Sequence, residues 1–425
     1  STNDRIEMIT KRPFARPLFL WVIGILLYVF LPDGWLLGLL GGSGLLLMLA
    51  LACGFRTEGH FLKYARRWLS GCVVGTIVLV LSVSVCYWRD GHPVQAFPRL
   101  QAQAGRWQSE CVERLDRLPL TNAERSVLAT LTLGYRQAMQ KETRWQFASA
   151  GVAHVLAVSG FHVAIVSGVL TLLLGGLRRW RWGGWVCYAV SLSGVWGFTF
   201  LTGLSPSAVR AAWMITLFLT GRQCVSGADS YNSLAAAAFC MLAYNPFYLF
   251  DVGFQLSFLA VYFLLAMGPL FRGIWEVHNP LIAYLWSGLW VALAAQLGTL
   301  GLILYYFGQC SLLFLWSSLP VTLAAVGLLP ATWVWLCLPT GGFGEPFLRE
   351  AIAWLTSALT HFVERCAALP FATWSCSCDA VDVVAAYGIL LIVLATMRLR
   401  WDRGLIYALA VGLLWLLKIL IGSFR

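Results

Sequence analysis

Three side chains able to exchange protons or act as a nucleophile sit inside a stretch apolar enough to lie in lipid. The run Ala148-Ser-Ala-Gly-Val-Ala-His-Val-Leu-Ala-Val-Ser-Gly-Phe-His-Val-Ala164 carries His154, Ser159 and His162, and its apolar character continues to about Leu174. An ionisable residue at bilayer depth is costly and marks a functional-site hypothesis. Ser159 and His162 are three apart, the spacing at which an imidazole can activate a hydroxyl, but no carboxylate lies nearby in sequence to orient the ring. His154 and His162 are eight apart, about 80° around a helix, so both could face one side of a bundle. Ser159-Gly160 could equally break that helix, and small residues such as Gly160 let neighbouring helices approach closely. Two neutral, hydrogen-bonded core histidines would fit the same sequence.

Other polar residues sit in comparable surroundings. Arg210 lies about one turn into an apolar run, in Ser205-Pro-Ser-Ala-Val-Arg-Ala-Ala-Trp-Met214. Its guanidinium stays protonated, so it must pair, snorkel to the surface or face water. Asp251 and Gln255 are four apart, hence on one helix face, and follow Asn245-Pro246-Phe247. Asp251 is a candidate counter-ion for Arg210, although such a pair would serve an architectural role equally well. Gln296 adds an uncharged polar group in mid-span. Arg210, Asp251 and Gln255 fall near the outer ends of their helices and His154 near the outer start of its own. The expectation is a water-accessible path lined by His154, Ser159, Gly160, His162, Ser205, Arg210, Asp251, Gln255 and Gln296.

The chemistry of that path is expected to be binding and passage. The six histidines include no His-x-His and no pair spaced for a metal around a glutamate. There is no Gly-x4-Gly-Lys-Ser/Thr loop for nucleotide phosphates. Neither catalysis nor a metal or other cofactor is therefore expected. Cys376 and Cys378 flank a single serine, too tight for Cys-x-x-Cys chemistry, and are read as packing residues.

The elements that must hold these residues are membrane helices. Of 425 residues, 59% are hydrophobic and 12% charged, against about 25% charged in soluble domains. Apolar windows long enough to span recur from end to end. The expected fold is an all-α polytopic membrane protein of about 11 to 13 transmembrane helices, some broken or re-entrant, with amphipathic surface helices. Spans are expected at about 18–31, 35–54, 69–88, 152–174, 185–202, 207–221, 230–244, 249–270, 281–306, 312–337, 381–397 and 404–422. The first follows Lys11, Arg12 and Arg16 and reads as a retained signal anchor. Charge asymmetry puts the N-terminus in the cytoplasm. Residues 89–147 are then periplasmic, with an amphipathic helix on the membrane surface marked by Trp107, Cys111, Leu115 and Leu118. Near the C-terminus the sequence leaves two topologies open: either an amphipathic 347–369 helix crosses, or 312–337, with Pro320 and Pro330, is a hairpin. Three regions follow: N-terminal helices over 1–88, a short amphipathic segment over 89–147, and a channel region over 148–425. The net charge of +11 fits cytoplasmic loops rich in Lys and Arg, and fits attraction of a polyanion as well.

Several segments resemble the ComEC family of competence proteins. They are Ala129-Thr-Leu-Thr-Leu-Gly-Tyr-Arg136, Gly151 to His162, Leu201-Thr-Gly-Leu-Ser-Pro-Ser-Ala-Val-Arg-Ala-Ala212, and Asn245-Pro246 with Phe250 to Ala260; Ala295-Gln296 with Tyr305-Tyr-Phe307 is a weaker match. Tyr135 replaces an acid of the family pattern, and Gly301 stands where the family usually has proline. The resemblance implies an inner-membrane channel for single-stranded transforming DNA, working with a periplasmic DNA receptor, a nuclease and a cytoplasmic ATP-driven translocase supplied in trans. The OB-like and metallo-β-lactamase-like domains that many members carry have no counterpart in this sequence. From the residues alone, a secondary transporter of a small anionic solute is the alternative, using broken helix ends as its sites.

Overall fold

The computed structural model describes residues 12–32, 60–92, 98–224, 229–272 and 278–399 apart from 340, 343, 371, 376 and 377, with isolated positions at 38–44 and 407–415. The spans expected at 35–54 and 404–422 therefore lie mostly outside the described residues, and Cys376 lies outside them. The described chain is almost wholly helical. Among the described residues six helices are long and apolar enough to cross a membrane, and two shorter apolar helices accompany them, so the all-α membrane fold holds. The chain divides into two compact units, 1–98 with 216–255 and 99–215 with 256–425.

In the first unit, α1 (Ala15–Phe30) packs against α2 (His60–Gly91) and α10 (Ser230–Tyr244). The α1–α2 crossing is close because Gly24 faces Ser82: a Cβ on Gly24 would stand 2.7 Å from that of Ser82. The buried Ser82 hydroxyl donates to the Trp21 carbonyl at 2.7 Å. Arg12 is ion-paired with Asp229, the N-cap of α10, and the Phe14 amide donates to Asn232 at 2.9 Å. A 3-10 turn over Pro246–Phe250 closes this unit.

The second unit contains α3 (Pro98–Leu115), α4 (Asn122–Leu133), α5 (Lys141–Ser149), the one-turn α6 (Ala153–Leu156), α7 (Gly160–Leu173) and α8 (Gly183–Leu201). α9 (Pro206–Cys224) and α11 (Val252–Arg272) each belong partly to it, followed by α12 (Pro280–Phe307), α13 (Phe314–Cys337), α14 (Glu345–Ala367) and α15 (Ala380–Leu399). Its main core joins α4, α5 and α6 to α13 and α14 through Leu128, Leu131, Phe147, Val155, Leu328 and Ile352 among others. α13 is one continuous helix with Pro320 and Pro330 inside it, which removes the hairpin alternative for 312–337.

Of the four residues that mark the amphipathic segment, Cys111 and Leu115 on α3 pack with Leu118 on the protein core, while Trp107 is exposed. And α4, inside the polar segment, is buried from Ser126 to Leu133. Its Thr130 and Thr132 hydroxyls return to the Ser126 and Leu128 carbonyls at 2.7 Å each. On α14, Thr356 and Thr360 do the same to Ile352 and Thr356. Polar side chains that bond back to their own helix can thus line a packed interface.

A further element escaped the sequence reading. Strands β1 (Gln309–Ser311) and β2 (Thr373–Ser375) pair antiparallel, with Cys310 opposite Trp374. They join the α12–α13 loop to the α14–α15 loop.

Candidate functional site

The C-terminal end of α4 is buried, so its last carbonyls need partners from elsewhere. Gln108 on α3 donates to the Leu133 carbonyl at 2.7 Å, and the Trp333 indole on α13 donates to that of Thr132 at 3.3 Å. Gly134 ends the helix at φ 72°, and its amide bonds the Thr130 carbonyl at 3.0 Å. A Cβ on Gly134 would stand 2.7 Å from Val158 and 3.5 Å from the Thr202 carbonyl oxygen. Gly203, also at positive φ, has Gln108 Oε1 2.9 Å from its would-be Cβ. Three segments far apart in sequence, near 131–136, 151–162 and 199–212, therefore close on one point.

The second of these segments is where the expected continuous span breaks. Backbone from Ala157 to Ser159 is extended between α6 and α7, with Ala157 at ψ 133° and Ser159 at ψ 173°. His154 and His162 accordingly lie on different helices and share no helical face. Irregular backbone at membrane depth is tolerated where it is buried in protein or borders water, and Val158 is 1% exposed. Gly151 makes the entry turn at φ 80°, with Phe314 Cα 2.8 Å from its would-be Cβ. Ser311 donates to the Ser149 carbonyl at 2.8 Å, and Ser317 donates to that of Ala150.

At the exit from the break, Ser159 caps α7. His162 Nδ1 accepts from the Ser159 amide at 3.2 Å and lies 3.0 Å from Ser159 Oγ. Accepting at Nδ1 assigns the proton of a neutral ring to Nε2. That nitrogen is fully buried and faces the Leu131 carbonyl side without a hydrogen bond of acceptable geometry. No carboxylate is bonded to it, so the Ser159–His162 contact is that of a helix cap. His154 differs: it is exposed.

Gly160, the first residue of α7, faces α9, with Ala211 Cβ 3.9 Å from its would-be Cβ. Arg210 is half-buried on α9, and its Nε donates to Ser257 Oγ on α11 at 3.3 Å. Ser205, just before α9, has a buried hydroxyl with no hydrogen-bond partner among the described residues. Gln296 is half-buried in the middle of α12.

Asp251 and Gln255 belong to the first unit, Arg210 to the second. Asp251 is the N-cap of α11: its Oδ1 accepts from the Phe254 amide at 2.7 Å. Gln255 donates to the Leu249 carbonyl at 2.9 Å. Asn245 caps the preceding 3-10 turn through the Phe247 amide at 3.1 Å.

Gln108, Trp333, Ser311 and Ser317 were missed by sequence reasoning. Gln108 lies in a mixed-charge helix, and the others in apolar runs, where nothing marks them as partners of particular carbonyls. A cavity of about 500 Å³ opens beside Gln108, bordered by Arg106, Ser109, Glu113, Tyr135 and Gln137. Among the described residues no group of three or more His, Cys, Asp or Glu is placed to hold a metal ion.

Comparison with known proteins agrees with this grouping. The family model described as "Competence protein" matches residues 131–401. ComE operon protein 3 of Bacillus subtilis (strain 168) is 28% identical over 248 residues, 56% of this chain and 30% of that protein. The chain thus spans less than half the length of the curated relative it matches. No solved structure matches. The matched region takes in the end of α4, the break between α6 and α7, and the start of α9, and it covers well over half of the sequence: this chain belongs to the competence protein family.

Proposed function

We propose that the chain is a channel of the bacterial inner membrane for single-stranded DNA taken up during natural competence. The observation that carries this reading is the coincidence of the family match with the structural convergence. The segments at 131–136, 151–162 and 199–212 meet around a broken membrane helix, which is how membrane proteins admit polar groups to the bilayer interior. His154 is exposed beside the break, and Arg210 offers a permanent cation on the adjoining α9, suited to a phosphate backbone.

The chain performs no chemical step of its own in this reading, and Ser159 with His162 shapes the break. Driving force and strand degradation come from partners: a periplasmic DNA receptor, a nuclease and a cytoplasmic ATP-driven translocase. The basic residues at the start of the chain support an N-terminus in the cytoplasm.

The test is uptake of fluorescent DNA by a competent strain lacking its own channel and complemented with this chain. Arg210→Ala is expected to abolish uptake while leaving membrane insertion and abundance unchanged. Near-normal uptake by that variant would overturn the conduit role of Arg210, and no uptake with the unaltered chain, all partners present, would overturn the channel.

A further inference from the structure

A second cavity, of about 430 Å³, lies at the C-terminal mouth of α13. Cavities of about 300–1,000 Å³ are the size that small ligands occupy. Arg114 and Arg117 line one side, Glu345 another, and Trp335, Leu336, Leu338 and Pro339 supply apolar wall. Arg114 is held in place by donating to the Leu336 carbonyl at 2.8 Å. Arg117 lies in the turn after α3, its amide donating to the Arg114 carbonyl at 3.2 Å, and its guanidinium has no hydrogen-bond or ion-pair partner among the described residues. The Trp335 indole donates to Glu345 Oε1 at 3.1 Å, which fixes the carboxylate and leaves its other oxygen to accept.

The cavity sits at an interface by two independent signs. α13 is long and apolar enough to span, and the cavity begins at its last turn. α14 starts at Glu345 and presents Phe347 and Trp354, 78% and 72% exposed, on one face seven residues apart. Exposed Glu350 lies on that face between them. Large aromatics interleaved with a charge suit the headgroup level of a bilayer and not its hydrocarbon.

We infer that this cavity binds the headgroup of a zwitterionic aminophospholipid, its phosphate on Arg114 and Arg117 and its ammonium on Glu345. Charge complementarity selects this occupant. Two guanidiniums alone would suit any phosphate, from a lipid or from a nucleic-acid strand. A fixed carboxylate in the same cavity repels a chain of phosphates and rewards a phosphate joined to a primary ammonium. A quaternary headgroup matches the charge and lacks the N–H donors, whereas a glycerol headgroup lacks the charge. Trp335, Leu338 and Pro339 would meet the first carbons beneath the headgroup. This site is independent of the path proposed for DNA.

The full chain, purified in detergent, is titrated with phosphatidylethanolamine, phosphatidylcholine and phosphatidylglycerol and read by native mass spectrometry. A charge-assisted hydrogen bond is worth enough for about a tenfold preference. Phosphatidylethanolamine is therefore expected to bind about tenfold more tightly than either of the others. Arg117→Gln should weaken it by a similar factor, with Arg117→Lys restoring most of the binding. Glu345→Gln, whose amide oxygen can still accept from Trp335, should make ethanolamine and choline lipids equal. Equal binding of all three lipids by the unaltered chain would overturn the proposal. So would unchanged ethanolamine preference in Glu345→Gln, or displacement of the lipid by an oligothymidylate, which would make the cavity a contact for DNA.

Discussion

Two interruptions of apolar helix, one at Ala157–Ser159 in the second unit and one at Asn245–Asp251 in the first, solve the same problem differently. Both expose backbone groups that a continuous helix would have satisfied. At 245–251 the repair is local: Asn245 and Asp251 each cap the backbone two or three residues on, and Gln255 reaches back to Leu249. At 157–159 the Ser159 amide is capped by His162 Nδ1, but the helix ends beside the break draw on distant elements: Ser311 and Ser317 donate to the Ser149 and Ala150 carbonyls of α5, and Trp333 to the Thr132 carbonyl of α4, 162 to 201 residues away in sequence. His162 Nε2 beside the break has no hydrogen-bond partner among the described residues. A locally capped break is a joint of the fold. A break whose flanking helix ends are held by remote residues has a geometry that the whole unit must hold.

The strongest way to break this contrast is Gly151→Val. The substitution forces a β-branched residue to φ 80° with Phe314 Cα 2.8 Å from the new Cβ. Strain and overpacking together should cost about 3 kcal/mol or more, read as loss of folded protein by fluorescence-detected size-exclusion chromatography. Recovery of normal amounts would show that the second break is as self-contained as the first. Next comes His162→Ala, which removes a fully buried ring and one half of the α7 cap. A loss of about 2–4 kcal/mol is expected in thermal unfolding in detergent, together with loss of DNA uptake. Asp251→Ala, by contrast, should cost about 1 kcal/mol, the worth of an N-cap, and leave uptake near normal; abolished uptake with intact insertion would put Asp251 on the path of the strand.

The smallest effect concerns pH. Burial of Glu124 alone would raise its pKa, but hydrogen bonds from Ser357 and from the Thr121 amide and hydroxyl, with His361 nearby, outweigh that and hold it below the usual carboxylate range. A lowered carboxylate contributes stability that is full above its unfolded pKa and lost as the pH falls through the folded one. Melting temperature should therefore drop as the pH is taken below about 4, and Glu124→Gln should remove that part of the drop. An identical acid limb in both proteins would exclude Glu124 as its source.

The spans were readable because an apolar run of sufficient length is a one-dimensional signal: α1, α8 and α11 to α13 begin and end close to where hydropathy places them. The burial of α4 was not readable. Its threonines look polar in the sequence, and only the structure shows their hydroxyls returned to the helix. The Ser159-Gly160 break could be read as one of two outcomes, since a small residue pair permits either. The pairing of β1 with β2 was invisible, because three-residue strands more than sixty residues apart leave no periodicity to detect. The site is legible in the same uneven way. Arg210 and His162 stand out by their cost in an apolar run, whereas Gln108 and Trp333 matter only through the carbonyls they meet.

That small ribbon of β1 and β2 has a mechanical side. It staples the loop entering α13 to the loop entering α15, while Leu312 and Ala372 extend the seam by one more bond at 3.1 Å. α13 presses Phe314 on Gly151, so a tilt of that helix would tug on the entry to α6 and, through the staple, on α15 as well. Widening the molecule here means moving these helices together or unzipping the seam, and an engineered disulfide across Cys310 and Trp374→Cys would lock the choice in place.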